Sequence, residues 1–355
     1  MKRFMKISQV SQNAAGKVQI DLAVSAFVPG LEMARRFYAQ EIATRLQGVP
    51  HSAGRIDEGS EVLGYDTEMS ADHDWGPRRL QVFVDDPVVA RRRLQDIEDA
   101  DLFIETPREF FRRYLDHDVD RPLAPSDWLV FSEQKLLTIA SGSLFRDDLR
   151  VDAVRQDLAY YPRDVWLYQL ASVWHRVGQE EHLVGRAGQA GDELGARLTA
   201  ARLVRDLMRL AFLMERRYAP YPKWFGTAFQ RLEAASELSP LLKAVLEADD
   251  WRARDGRLAT AYEVVARRHN ALGITSARPE ETAPFFGRPF RVIHLLGDFA
   301  AHLVAEISDS EVRRVAERGL VGSVDVFSDS TDLVSHVHWR RTLRGLYESS
   351  PDRCG

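Results

Sequence analysis

Residues 59–75 read GSEVLGYDTEMSADHDW. The stretch opens on the small pair Gly59-Ser60 and closes on two aspartates, Asp72 and Asp74, separated by His73. On a strand such alternate residues share a face, so the two carboxylates project together while His73 and Trp75 face the other way. Paired carboxylates repel unless a cation sits between them. Hard oxygen ligands of this kind suit magnesium, which keeps some waters and completes its shell with a substrate's phosphates. Gly59 lets a phosphate approach the backbone, turn N–H groups can face the anion, and the Ser60 hydroxyl adds a donor. An EF-hand loop starting at Asp66 fits worse, because it needs glycine where Ala71 stands and glutamate where Pro77 stands.

Working outward, a first strand at 52–57 delivers Gly59-Ser60. A second begins at the aspartate pair and, after Gly76-Pro77, resumes in RRLQVFVDD; Gly-Pro inside a strand signals a bend or bulge. Upstream, 18–28 holds one strand. After Pro29-Gly30, the residues Leu31, Ala34, Tyr38, Ile42 and Leu46 recur at helical spacing. Residues 87–99 form a charged helix, and a third strand follows at 102–105.

The order Gly-Ser, short spacer, Asp-x-Asp resembles the motif of nucleotidyltransferases with the DNA polymerase beta-like fold. The wider chain resembles a bacterial family of unassigned function in which such a motif precedes a long helical region. The segments that carry this are HSAGRIDEGSEVLGYDTEMSADHDWGPR, DVWLYQLASVWHRVGQEEHLVGR, GDELGARLTAARLVRDLMRLAFLMERRYAPYPKWFGTAF and GSVDVFSDSTD. The resemblance implies a third carboxylate on the next strand, where Glu105, or else Asp101, is the acid at hand. It also implies a general base from the helical region, for which Glu180 and Glu181 are the candidates and Asp192-Glu193 a weaker one. The plainer readings are a solvated loop acid for Glu105, an exposed helix end for Glu180-Glu181, and a helix start for Asp192-Glu193.

The chain has 355 residues, 45% of them hydrophobic and 28% charged, with a net charge of −5. It is long enough for two or three domains, apolar enough to build a core, and carries no global basic field for nucleic acid. One cysteine, Cys354, excludes an intrachain disulfide and a cysteine metal site. No apolar run follows Lys2, Arg3 and Lys6, and no segment is suited to crossing a membrane. The expectation is a cytoplasmic protein.

From 126 the pattern is helical nearly to the end. Ser126 is placed to cap a helix that stops near Gly142, and Tyr160-Tyr161-Pro162 separates two helices. PYPKWFGTAF reads as a turn. Further helices are expected at 238–248, 257–271, 291–306, 309–318 and 331–347. A boundary in DVDRPLAPS, 118–125, divides the chain into an α/β domain (1–120) and a helical domain (121–355). Arg202, Arg205, Arg209 and Arg216 make a basic stripe, and Lys223 lies beyond it in a constrained turn. Facing the aspartates, Arg205 and Lys223 can hold a triphosphate; the alternative is a solvated face paired with Asp206 and Glu215. His73 reads as a core histidine, and the scattered His175, His182, His269 and His294 form no metal spacing.

The fold expected is α+β, a small mixed sheet followed by a large helical domain that closes over a cleft. By resemblance the activity is transfer of a nucleoside monophosphate from a nucleoside triphosphate, taken as ATP, to a hydroxylated small molecule, with magnesium on Asp72 and Asp74. The alternatives are a tRNA or protein acceptor, or a nucleotide-binding module without turnover.

Overall fold

The computed structural model describes residues 6–12, 18–23, 27–72, 79–98 and 100–348, with the backbone alone at 6–12, 18–23, 71, 72 and 296. The fold is α+β. Strands β1 (Lys6–Gln12) and β2 (Val18–Ala23) form an antiparallel hairpin, where a single strand was expected. Strands β3 (His51–Arg55), β4 (Arg79–Val84), β5 (Asp101–Glu105) and β6 (Ser143–Asp147) form a mixed sheet of order β5-β4-β3-β6. β4 and β5 are parallel, joined by the crossover helix Pro87–Leu94, and the other pairs are antiparallel. That helix starts cleanly because Asp86 accepts the Val88 N–H and proline occupies its first turn.

Alternation along β4 decides how the sheet is covered. Leu80, Val82 and Val84 point to one face, where they bury with Ala53, Phe37, Tyr38, Ile42 and Leu46. Ala34, Tyr38, Ile42 and Leu46 are the buried residues the helical spacing foretold, on a helix that runs from Gly30 and widens between Tyr38 and Ile42. Phe83 and Ile56 point to the other face and join the large core of the helical region, with Phe110, Trp128, Trp174, Leu207 and Tyr262. Three long helices, Arg163–Glu180, Glu193–Met214 and Trp251–Ala271, carry much of that core.

Several expectations are corrected. β6 lies beyond residue 120, so the sheet takes its fourth strand from the stretch read as helical. Gly54 permits this pairing, since a β-carbon there would meet the Ser143 carbonyl oxygen at 2.3 Å. The single helix expected from Ser126 is two, Pro125–Val130 and Glu133–Ser141, separated by extended Phe131. Ser126 caps neither; its hydroxyl donates to Glu348. The break exposes the Glu133 N–H, which the Asp325 carboxylate takes at 2.9 Å. PYPKWFGTAF is a helix, Pro222–Phe229, with Pro222 in its first turn. Asp72 ends a 3-10 turn, Glu68–Asp72, rather than opening a strand; the rest of the expected strand start, 73–78, lies outside the described residues, and β4 is described from Arg79.

Candidate functional site

The Gly59-Ser60 turn is built on a buried arginine. Arg55, 1% exposed at the end of β3, donates from Nε and Nη2 to Glu61 Oε1 at 3.0 and 2.7 Å, and from Nη1 to Asp57. Both acids are nearly buried, so one guanidinium fixes the chain on either side of the turn. Gly59 has φ +147°, and a β-carbon there would meet the Glu61 carboxylate at 2.5 Å. Its glycine is therefore required by the backbone and by the Arg55–Glu61 pair, whatever the turn binds.

The far side of the turn docks on the helical region. Tyr65, whose N–H bonds the Ser60 carbonyl at 2.9 Å, stacks on Trp224 with ring centroids 5.1 Å apart. Arg231 lies over the Tyr65 ring at 4.0 Å and donates to the Gly64 carbonyl at 2.9 Å. Lys223 lies over the Trp224 ring at 5.0 Å. These contacts bring two segments some 160 residues apart in the chain to one place.

Between them lies a cavity of about 1210 Å³. Gly59 and Ser60 line it from the sheet side, and Arg205 and Lys223 from the helical side. Four residues singled out in the sequence thus meet around one space. Arg79, Lys135 and Arg209 add positive charge to its wall, and Glu58, Asp325 and Asp329 add negative charge. Thr67, Met69 and Ser70, which lead to Asp72, line it as well. Asp74, and the side chain of Asp72, lie outside the described residues. Among the described residues no three His, Cys, Asp or Glu side chains group as a metal site.

Of the arginine stripe, only part faces this space. Arg205 pairs with Asp329 at the rim, and Arg209 stands 3.7 Å from Glu133 and over the Phe225 ring at 5.7 Å. Arg202 instead pairs with Glu180 at 2.6 Å, and Arg216 stacks on Trp166 at 4.2 Å.

Glu105 and Glu180 are not among the residues that line the cavity. Glu105 sits on β5, largely buried rather than in a solvated loop, and both its oxygens accept from Arg113, at 2.6 and 3.2 Å. Glu181 is buried instead of exposed, and its carboxylate accepts the N–H groups of Ile293, His294 and Leu295 at 2.7–3.2 Å. Burial pushes that carboxyl up to about 7, against those three bonds. Its work is to hold the start of the short helix His294–Gly297. Asp192 caps the helix Glu193–Met214 by accepting from Gly195, as its plainer reading had it.

Three acids of the cavity carry no role in the sequence reading, Glu58, Asp325 and Asp329, and Asp325 is the one placed beside other buried charges. It opens a short helix, Val324–Phe327, and shares its surroundings with Glu133 and Arg209. Burial raises the carboxyls of both acids, and Arg209 opposes that rise. Asp325 falls within GSVDVFSDSTD, a segment noticed for its resemblance but given no role. Lys135 was also passed over: one lysine within EQKLLTIAS carries no signal until the helix is placed.

Among the described residues no helix is long and apolar enough to cross a membrane. The model of one protein family, described as a domain of unknown function (DUF4037), matches residues 128–225. That segment holds Lys135, Arg205, Arg209 and Lys223, which line the cavity from the helical side, and does not include the Gly59-Ser60 turn. No curated protein and no solved structure matches the chain.

Proposed function

We propose that the protein is a magnesium-dependent nucleotidyltransferase, moving a nucleoside monophosphate from ATP to a hydroxyl of a small molecule in the cavity. The observation that carries this reading is the convergence of Gly59-Ser60 with Arg205 and Lys223 on one space of about 1210 Å³. That volume exceeds the usual single-ligand pocket of roughly 300–1,000 Å³, as two substrates require. The net charge of −5 gives no global basic field for a tRNA, which favours a small acceptor.

Two carboxylates with the spacing of Asp72 and Asp74 would offer the hard oxygen ligands that suit magnesium. When bound there, the ion supplies positive charge to the phosphates and to the attacking oxygen. The chain's own residues do the rest. Ser60 and the backbone of its turn orient the phosphates, and Lys223 and Arg205 neutralise charge on the leaving pyrophosphate. Asp325 replaces Glu180 as the group that takes the acceptor's proton, because it lines the cavity and Glu180 does not.

One observation favours a second reading. Glu105, the acid available as a third carboxylate, is held by Arg113 away from the cavity lining. In that reading the site binds a nucleotide without turnover.

Incubation with ATP labelled at the α-phosphate, magnesium and a cell extract as acceptor source separates the two. Transfer of label is expected, with orders of magnitude lost in both Asp72→Asn and Asp74→Asn, and no further loss in the double variant, because the pair acts as a unit. Nucleotide binding with no label transferred from any extract would leave the binding module.

A further inference from the structure

We infer that Lys135, with Arg340 behind it, forms an oxyanion subsite in the cavity wall that takes a phosphate group. The inference deepens the reading of this cavity as a ligand site, and does not depend on the transfer chemistry.

Lys135 is 9% exposed and lines the cavity. Its ammonium donates to the Tyr114 carbonyl at 3.1 Å and lies 4.7 Å from the Tyr114 ring, and among the described residues no carboxylate pairs with it. An ammonium has three protons to donate, so this one is only partly satisfied. Arg340 is 2% exposed, stacked over Phe131 at 5.2 Å, and both its terminal nitrogens are buried without a hydrogen-bond partner. The groups acting on this pair do not neutralise it. Glu58 attracts Lys135, and Arg340 and Arg113 repel it. Asp116 and Asp325 attract Arg340, and Arg344 repels it. None of these acids closes to an ion pair with either cation.

Two buried like charges that repel and have no ion-pair partner are costly to keep charged unless an anion joins them. The cost shows in both groups: burial, with Arg340 adding to it, brings Lys135 down to about 8, and burial brings Arg340 down to about 10. Lys135 lines a space large enough for the anion, and the oxygens of a phosphate can accept the protons its ammonium has to spare. It can come from the nucleotide itself or from a phosphorylated second substrate.

Thermal unfolding of the full chain with inorganic phosphate, against chloride at equal ionic strength, tests this. Phosphate should raise the wild-type midpoint saturably. Lys135→Met should unfold at a higher temperature than wild type without phosphate, since an unpaired buried charge is gone, and should bind phosphate roughly tenfold or more weakly. A structural lysine would give the opposite, a lower midpoint. Saturating magnesium–ATP assigns the source. If it abolishes the phosphate effect, the subsite belongs to the nucleotide; if the effects add, it belongs to the second substrate. Wild-type crystals soaked in tungstate give a readout without any variant, with the anion expected on Lys135 Nζ. No saturable phosphate effect in the wild type, an unchanged effect in Lys135→Met, or tungstate bound elsewhere would overturn the inference. Such a failure leaves the transfer reading intact, and loss of transfer with phosphate binding kept sinks only that reading.

Discussion

Gly59 and Ser60 stand side by side in the turn but answer to different constraints. Gly59 sits at φ +147° against the Glu61 carboxylate, so any side chain there strains the backbone, at about 1–3 kcal/mol, and disturbs the Arg55 pair. A Gly59→Val protein reports on folding before it reports on ligand. Ser60 carries no such burden and gives the cleaner test. Ser60→Ala should lower triphosphate affinity by about 1.5–3 kcal/mol, the range for a hydrogen bond to a charged group, while urea unfolding stays unchanged. Calorimetry finding equal nucleotide affinity would remove Ser60 from the site. At this scale the small and charged residues singled out in the sequence, Gly59, Ser60 and Lys223, line one cavity, although Lys223 stands in a helix and not in the turn expected. The sequence was silent where a residue's meaning depends on burial. Lys135 and Asp325 drew no reading, and Glu181 read as a general base or an exposed helix end, until the helices that bury them are placed, because charge type says nothing about what faces the group.

At the scale of elements, the turn owes its shape to Arg55. Removing one partner from a buried ion pair leaves the others uncompensated, which typically costs about 3–5 kcal/mol. Arg55→Met should therefore destabilise the protein by that order in chemical unfolding, since Asp57 and Glu61 would remain buried and charged. It should also raise hydrogen exchange across 57–64 more than in the helix Arg163–Glu180. A variant with wild-type stability would show that the cluster does not hold the turn. Elements with a strong period were legible: the strand RLQVFV through its alternating Leu80, Val82 and Val84, and the helix beginning at Gly30 through its 3.6-residue spacing. β6 was not, because its five residues lie between helices and owe their strand to pairing with β3. The helix Pro222–Phe229 was hidden by its prolines, which read as punctuation although proline in the first turn is compatible with a helix. The split at Phe131 was hidden because its cap, Asp325, comes from 192 residues away.

Over the whole molecule, the sheet buries one face under its own two helices and gives the other to the helical core. The site lies where these two parts meet, held by Tyr65 on Trp224 and by Arg231 on the Gly64 carbonyl. The α+β class and the order of its parts followed from the sequence, while the joint did not, since nothing in the chain pairs residue 65 with residue 224. The most direct test of the account is a crystal structure with a non-hydrolysable ATP analogue and magnesium. It should show the triphosphate between the Gly59-Ser60 turn and the side chains of Lys223 and Arg205, with Asp72 and Asp74 as the residues that would hold the metal. An analogue bound outside this cavity, or no analogue bound at saturating concentration, would contradict it.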